Sequence, residues 1–383
     1  MRTHQLSWSA AHGWRAVGAD LRKANLVLYF GTRASLANGG RYRELREMFP
    51  DAHIVGCSTG GQIRNDDVTD EEIAAVALRF DATRLRLACE ATLAAEHSRA
   101  CGEAIGKALA ADDLAGIFVL SDGLSVNGSE LVAGITGVVG HGIPLTGGLA
   151  GDGARFEETL VGADCAPQSR MVAAVGFYGA AVRIGHGSAG GWDEFGPRRR
   201  ITRSTGNVLF ELDDEPALDL YERYLGEEES KGLPGTGLLF PLRIHDPAQP
   251  THDLVRTILA VDREARSMTF AGDMPQGWVT QLMRGNFDRL AAGAADAARQ
   301  ARTGLGEAAQ QQDGLAVLVS CIGRRLLMGQ RTMDEVEAAG LELGSRMSRI
   351  GFYSYGEISP HSASGVCQLH NQTMTVTAIT EAA

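Results

Sequence analysis

The side chains best placed to do chemistry sit in four short stretches. GCSTGGQI at residues 56–63 carries Cys57, Ser58 and Thr59; GGLAGDG at 147–153 carries Gly148 and Asp152; GFYSYGEI at 351–358 carries Ser354, Tyr355 and Glu357; LHNQTMTVT at 369–377 carries His370 and Asn371. A cysteine in a glycine turn becomes a nucleophile when nearby N–H groups or a cation lower its pKa. Cys57 lacks the base that would complete such a site. His53 shares its strand face by period-two alternation but lies four residues back along the chain. Hydroxyls, carboxyls and an amide among glycines suit ligand capture better, because glycine lets the backbone approach a bound molecule.

GGLAGDG resembles a phosphate cradle but has neither GxGxxG spacing nor a GK[ST] ending. Asp152 therefore has two roles open to it, holding a ligand ammonium or hydroxyl, or bonding its own turn backbone, and the turn is the commoner one. Read as one strand, LHNQTMTVT puts His370, Gln372 and Met374 on one face and Asn371, Thr373 and Thr375 on the other. A plain core strand needs fewer polar side chains. His370 has three roles open to it: donor to a ligand, ligand of a metal or haem iron, or partner of Glu357. His245 in PLRIHDP and His141 in VVGHGIP have apolar neighbours of the kind that flank a haem, although a satisfied core or turn histidine is the commoner outcome. His4, His12, His97, His186, His252 and His361 carry no stronger signal. The six cysteines (57, 89, 101, 165, 321 and 367) form no CxxC pair and no tight ligand spacing, so they read as free thiols.

Three passes of one pattern position these residues. Each is a short apolar strand, a helix-bearing crossover and a second short strand: 26–30, 42–48 and 53–57; then 116–120, 129–139 and 143–153; then 315–320, 332–343 and 349–358. Crossovers of that length predict right-handed parallel units. Ligands gather at the C-terminal ends of such strands, where GTRAS, SDGLSVNGSE and SCIGRR end the first strands and the glycine turns end the second. The first and third glycine turns align residue for residue: Gly56 with Gly351, Thr59 with Ser354, Gly61 with Gly356, Gln62 with Glu357 and Ile63 with Ile358. They are expected to form opposing walls of one site.

Runs at 72–79, 85–88, 170–178, 181–185 and 207–212 predict further strands, so the sheets are expected to be mixed. Residues 257–261 and 267–271 predict a hairpin, followed by a turn at MPQG. Leu282, Phe287 and Leu290 predict a long alanine-rich helix over 280–301. FELDDEPALDLYERYL predicts a helix capped by Asp213 or Asp214 with Pro216 in its first turn. The expected organisation is an N-terminal extension over 1–24, one α/β domain over 25–208 and a second over 209–383, with mixed, partly parallel sheets built from βαβ units. A chain of 383 residues fits two cores better than one.

The formal net charge of −11 leaves no basic footprint for nucleic acid or anionic membrane. The run Arg198, Arg199, Arg200 reads as a solvated turn. Residues 131–151 lack charge, but their glycines, His141 and Pro144 predict a helix, a turn and a buried strand rather than a membrane span. The N-terminus has no apolar stretch of signal-peptide length, so a cytoplasmic location is expected.

HIVGCSTGGQI, PLTGGLAGDGARFEET, FELDDEPALDLYERYL, MTFAGDMPQGWVTQLM, GFYSYGEISP and LHNQTMTVT occur here in an order that resembles the FIST family of bacterial sensory proteins, over about residues 25–358. The last two are similar to the subgroup holding the haem-binding nitric-oxide sensors called NosP. The resemblance implies a stand-alone, non-enzymatic sensor of a small-molecule or gas ligand whose output passes to a histidine kinase or another signalling protein. A haem b would be held noncovalently, since no CxxCH is present, with His370 as its first candidate ligand and His245 and His141 behind it. Two other readings stand beside it: a haem-free sensor of a small polar metabolite such as an amino acid, using Ser58, Thr59, Asp152, Ser354, Tyr355 and Glu357, and an enzyme using Cys57 or Cys321.

Overall fold

A computed structural model describes every residue except 18–22, 93, 249–252, 362–363 and 383, so His252 lies outside the described residues. Three parallel pairs form its centre: Leu26–Gly31 with His53–Ser58, Leu114–Ser121 with Leu145–Leu149, and Gly314–Cys321 with Met347–Ser354. An antiparallel strand lies on the far side of each first strand, respectively Ile73–Arg79, Met171–Tyr178 and Met374–Glu381. The fold is α/β with mixed sheets. Segment 1–24 supplies two more strands, Arg2–Ser9 and Gly13–Val17, which extend the first sheet beyond Ile73–Arg79.

Each unit then exports a strand. After the second strand the chain turns at its glycines and pairs antiparallel with another unit's second strand: Gln62–Arg64 against Met347–Ser354, Gly356–Pro360 against Leu145–Leu149, and Val161–Ala163 against His53–Ser58. First gives to third, third to second, second to first, so the exchange closes on itself. It also covers the backbone N–H and C=O groups that a sheet edge would leave unpaired. The two aligned glycine turns are two links of this ring.

Gly56, Gly147 and Gly351 occupy matching places, paired with Tyr29, Val119 and Leu318. A Cβ there would come within 2.2 Å of the Tyr29 carbonyl oxygen, 1.9 Å of that of Val119 and 2.0 Å of that of Leu318. Only glycine allows the second strand to sit this close. The largest apolar cluster joins Leu131, Ile135 and Leu149 to Ala294, Val336, Ile358 and Val376, so the two halves of the chain share a core.

A fourth sheet of eight strands, with its own core around Ile201, Tyr221, Ile244 and Phe270, is inserted between the second and third units. Three expectations are corrected here. Arg198, Arg199 and Arg200 lie within the strand Trp192–Thr205 rather than in a turn. The segment expected as one long helix begins as the strand Val279–Gly285, which buries Leu282 in that sheet; the helix is Phe287–Gly304, started by the Asn286 side chain accepting from the N–H groups of Asp288 and Arg289. Neither Asp213 nor Asp214 caps a helix. Both take left-handed backbone (φ 49° and 66°), Asp213 accepts from the Arg200 N–H at 2.9 Å, and the helix Ala217–Leu225 starts only after Pro216.

The expected hairpin is present as Ile258–Asp262 against Ser267–Phe270. The uncharged stretch 131–151 divides between the helix Gly128–Val139 and the strand Leu145–Leu149. Among the described residues no helix is long and apolar enough to cross a membrane.

Candidate functional site

The glycine turns meet without a gap, which corrects their expected placement as walls facing across a ligand. Gly60 N–H donates to Tyr353 O at 2.8 Å, Tyr353 N–H to Gly61 O at 2.9 Å, Gly151 N–H to Ser58 O at 2.9 Å and Tyr355 N–H to Leu149 O at 3.2 Å. Side chains expected to hold a ligand bond protein here instead. Ser58 Oγ accepts from Leu160 N–H at 2.8 Å, and Thr59 Oγ1 donates to Gly31 O at 3.4 Å. The Asp152 carboxylate accepts from the N–H groups of Phe156, Glu157 and Glu158 and from the Tyr355 hydroxyl, while the Tyr355 ring stacks on Phe156. Gly148 pairs with Glu357 across the exchanged strand.

Cys57 is fully buried at the end of its strand, and burial pushes its thiol well above the ordinary range. Cys321 shows the same shift, from burial first and the neighbouring Glu357 second. Neither environment makes a thiolate at neutral pH.

The C-terminal segment behaves differently from one continuous strand. Cys367–His370 ends at a turn in which Gln372 takes φ 62°, and Met374–Glu381 begins after it. This turn packs onto a buried polar chain. Glu357 Oε1 accepts from Ser354 Oγ at 2.6 Å, and Oε2 accepts from Thr373 Oγ1 at 2.9 Å and Thr373 N–H at 3.2 Å. Burial outweighs these hydrogen bonds and lifts the Glu357 carboxyl to about 8, so it keeps its proton at neutral pH. Asn371 is fully buried, donates to Tyr355 O at 3.3 Å, and leaves its Oδ1 without a hydrogen bond.

On the far side of Thr373 lies a cleft of about 380 Å³, where the turn meets the fourth sheet; His370, His361, Thr373, Trp192, Asp253 and Met283 line it. The rings of His361 and His370 stack at 5.9 Å. Each aims Nε2 at a carbonyl and so donates through it, His370 to Ser359 O at 3.0 Å and His361 to Asp253 O at 3.1 Å. Gly190 and Gly191 complete the wall, held from behind by a fully buried ion pair: Arg324 bonds Glu335 at 2.7 Å and donates to Gly190 O at 2.6 Å and Leu290 O at 2.8 Å. Asp253 is paired with Arg243 at 2.9 Å.

The three histidines considered for a haem are not brought together. His370 lines this cleft, and His141 lines a separate one. His245, almost buried in the strand Leu242–His245, lines neither, and burial followed by Arg243 and Arg198 lowers its pKa. Among the described residues no group of three His, Cys, Asp or Glu is arranged to hold a metal ion. The residues around His370 do not fit a haem: its Nε2 is committed to Ser359 O, and the described lining offers the two propionates Asp253 but no Lys or Arg.

Sequence reasoning missed His361, Asp253, Trp192 and the Arg324–Glu335 pair. The pair left one legible trace, an arginine that had to go inside the apolar stretch CIGRRLLM.

Residues 25–215 match the family model of the FIST N domain, and residues 217–360 that of the FIST C domain. Among curated proteins, none matches the chain.

Proposed function

Since the chain belongs to the FIST family, whose domains are associated with sensing and signal transduction, we propose that it senses a small polar metabolite in the cleft lined by His370, His361 and Thr373. One observation carries this reading: the cleft wall is the outer end of the buried chain Thr373, Glu357, Ser354, whose inner end sits among the exchanged strands. A ligand that takes a hydrogen bond from Thr373 Oγ1 removes a donor from Glu357. A buried carboxyl answers such a loss by shifting its proton affinity and its geometry, which makes it a means of passing occupancy to the junction of the three units.

Buried, thiol-form cysteines support sensing over cysteine catalysis. The output then passes to a protein partner, for which a histidine kinase is the class that the family resemblance suggests. A haem-based nitric-oxide sensor is the finer version of this proposal, and the lining of the cleft favours the haem-free one.

A thermal-shift screen of polar metabolites against the wild type, His370→Ala and Thr373→Val tests the reading. A true ligand at a hundredfold excess over its Kd stabilises the wild type by about 3 kcal/mol and neither variant by as much. A stabilising ligand that ignores both substitutions overturns this site. A Soret band after haem reconstitution that disappears in His370→Ala replaces it with the haem version.

A further inference from the structure

A second cleft of about 270 Å³ lies on the other side of the strand Asp253–Arg256, with Leu254 common to both. Its unusual member is Arg256, only 4 % exposed. The guanidinium donates through Nε to Asp273 O at 3.0 Å and through Nη1 to Leu369 O at 3.0 Å and Val255 O at 3.3 Å, all neutral carbonyls. Among the described residues no carboxylate forms an ion pair with it, and Nη2 donates to none of them. Burial lowers its pKa to about 10, partly offset by Asp273, so the group stays cationic at neutral pH. The other fully buried arginine, Arg324, has Glu335 as its counter-ion. Arg256 has only Asp273, beyond ion-pair distance, to offset the cost of its burial.

Asp273 lines the same cleft. Its Oδ1 accepts from Asn127 Nδ2 at 2.9 Å, and no described residue donates to Oδ2. Ser129, in the first turn of the helix Gly128–Val139, adds a hydroxyl, and Val132 and Trp278 supply an apolar wall. The cleft thus presents a cation and an anion side by side, each with an unused edge, beside hydrocarbon.

We infer that this second cleft binds a small zwitterion, with its carboxylate on Arg256 Nη2, its ammonium on Asp273 Oδ2 and its hydrocarbon against Val132 and Trp278. A carboxylate completes the charge of Arg256 through a bond the protein leaves unmade. A simple acid would meet Asp273 as a like charge, and a simple amine would meet Arg256. Only a ligand bearing both charges is favoured at both groups. This inference does not rest on the His370 cleft, and either can fail alone.

Calorimetric titration of the full chain with the standard amino acids, and for the best apolar binder with its deaminated acid and its decarboxylated amine, tests it. For L-leucine these partners are 4-methylpentanoate and 3-methylbutylamine. The amino acid is expected to bind, each partner at least about tenfold more weakly, and Asp273→Asn and Arg256→Lys to weaken the amino acid by a similar factor. His370→Ala is expected to leave it unchanged. If Arg256→Lys fails to fold, judged by circular dichroism, Asp273→Asn and the ligand series decide the question. Binding of no amino acid at millimolar concentration, equal binding of the acid or the amine, or undiminished binding by Asp273→Asn overturns the inference.

Discussion

Replacing Glu357 by glutamine removes a buried proton-binding group while keeping its shape. The amide oxygen can accept from Thr373 N–H and Oγ1 as Oε2 does, and the amide nitrogen can donate to Ser354 Oγ, 2.6 Å from Oε1. In the folded protein the carboxyl holds its proton up to about pH 8, against an ordinary value of 4.5. Below pH 4.5 both states are protonated and nothing is lost. Between these limits the unfolded chain releases the proton and the folded chain keeps it, so wild-type stability falls by about 1.4 kcal/mol per pH unit, and by roughly 5 kcal/mol across the window. Glutamine carries no such dependence. The stability of Glu357→Gln minus that of the wild type is therefore expected to rise by about 2–3 kcal/mol from pH 5 to pH 7. Urea unfolding of both proteins at pH 5, 6 and 7 measures it, and every other titrating group cancels in the difference. A difference that stays flat, or that falls with pH, refutes a protonated Glu357 and with it the route from Thr373 into the core.

Three further outcomes follow from the packing. Gly351→Ala drives a methyl group into the Leu318 carbonyl and is expected to destabilise by about 3 kcal/mol or more, read as a loss of Tm; a Tm equal to wild type would mean the parallel pair is not held this closely. Ellman's reagent on the native protein is expected to modify exposed Cys89 and half-buried Cys165, with Cys57 and Cys321 reacting only on unfolding; rapid native labelling of Cys57 would revive the nucleophile reading. Glu335→Ala leaves Arg324 buried without its counter-ion and is expected to lower stability by about 3–5 kcal/mol, whereas Arg324→Met with Glu335→Leu should recover most of it by denaturant titration.

Much of the fold was legible because it is local. Apolar runs bounded by glycine, joined by helix-length crossovers, marked all three parallel pairs, and Gly56 and Gly351 stood out through the alignment of their turns. The matching Gly147 stayed hidden because Leu149 and Ala150 replace the hydroxyl residues, and Asp152 the second aligned glycine, of the other two turns. Local signals failed where tertiary contacts competed with them. The helical spacing of Leu282, Phe287 and Leu290 was real, yet pairing with Trp192–Thr205 and Leu242–His245 drew Leu282 into a sheet. The single-strand reading of LHNQTMTVT failed at Gln372, whose left-handed φ no alternation pattern reveals.

The amino-acid sequence by itself determined the unit, a parallel strand pair ending in a glycine turn, because backbone freedom and apolar periodicity act over a few residues. It also marked Ser354, Glu357 and Asn371 as candidate ligand-binding groups and His370 as a candidate haem ligand, all of which the structure buries. Only the tertiary structure decided what those groups face. Strand exchange closes the glycine turns onto one another and fills the space expected for a ligand, while the inserted fourth sheet opens two clefts that bring together residues up to 240 positions apart, as with Ser188 and Thr373 in one and Ser129 and Leu369 in the other. Which edges pair, and which charges are left without a partner, are properties of contacts between distant segments, and no window of sequence contains them.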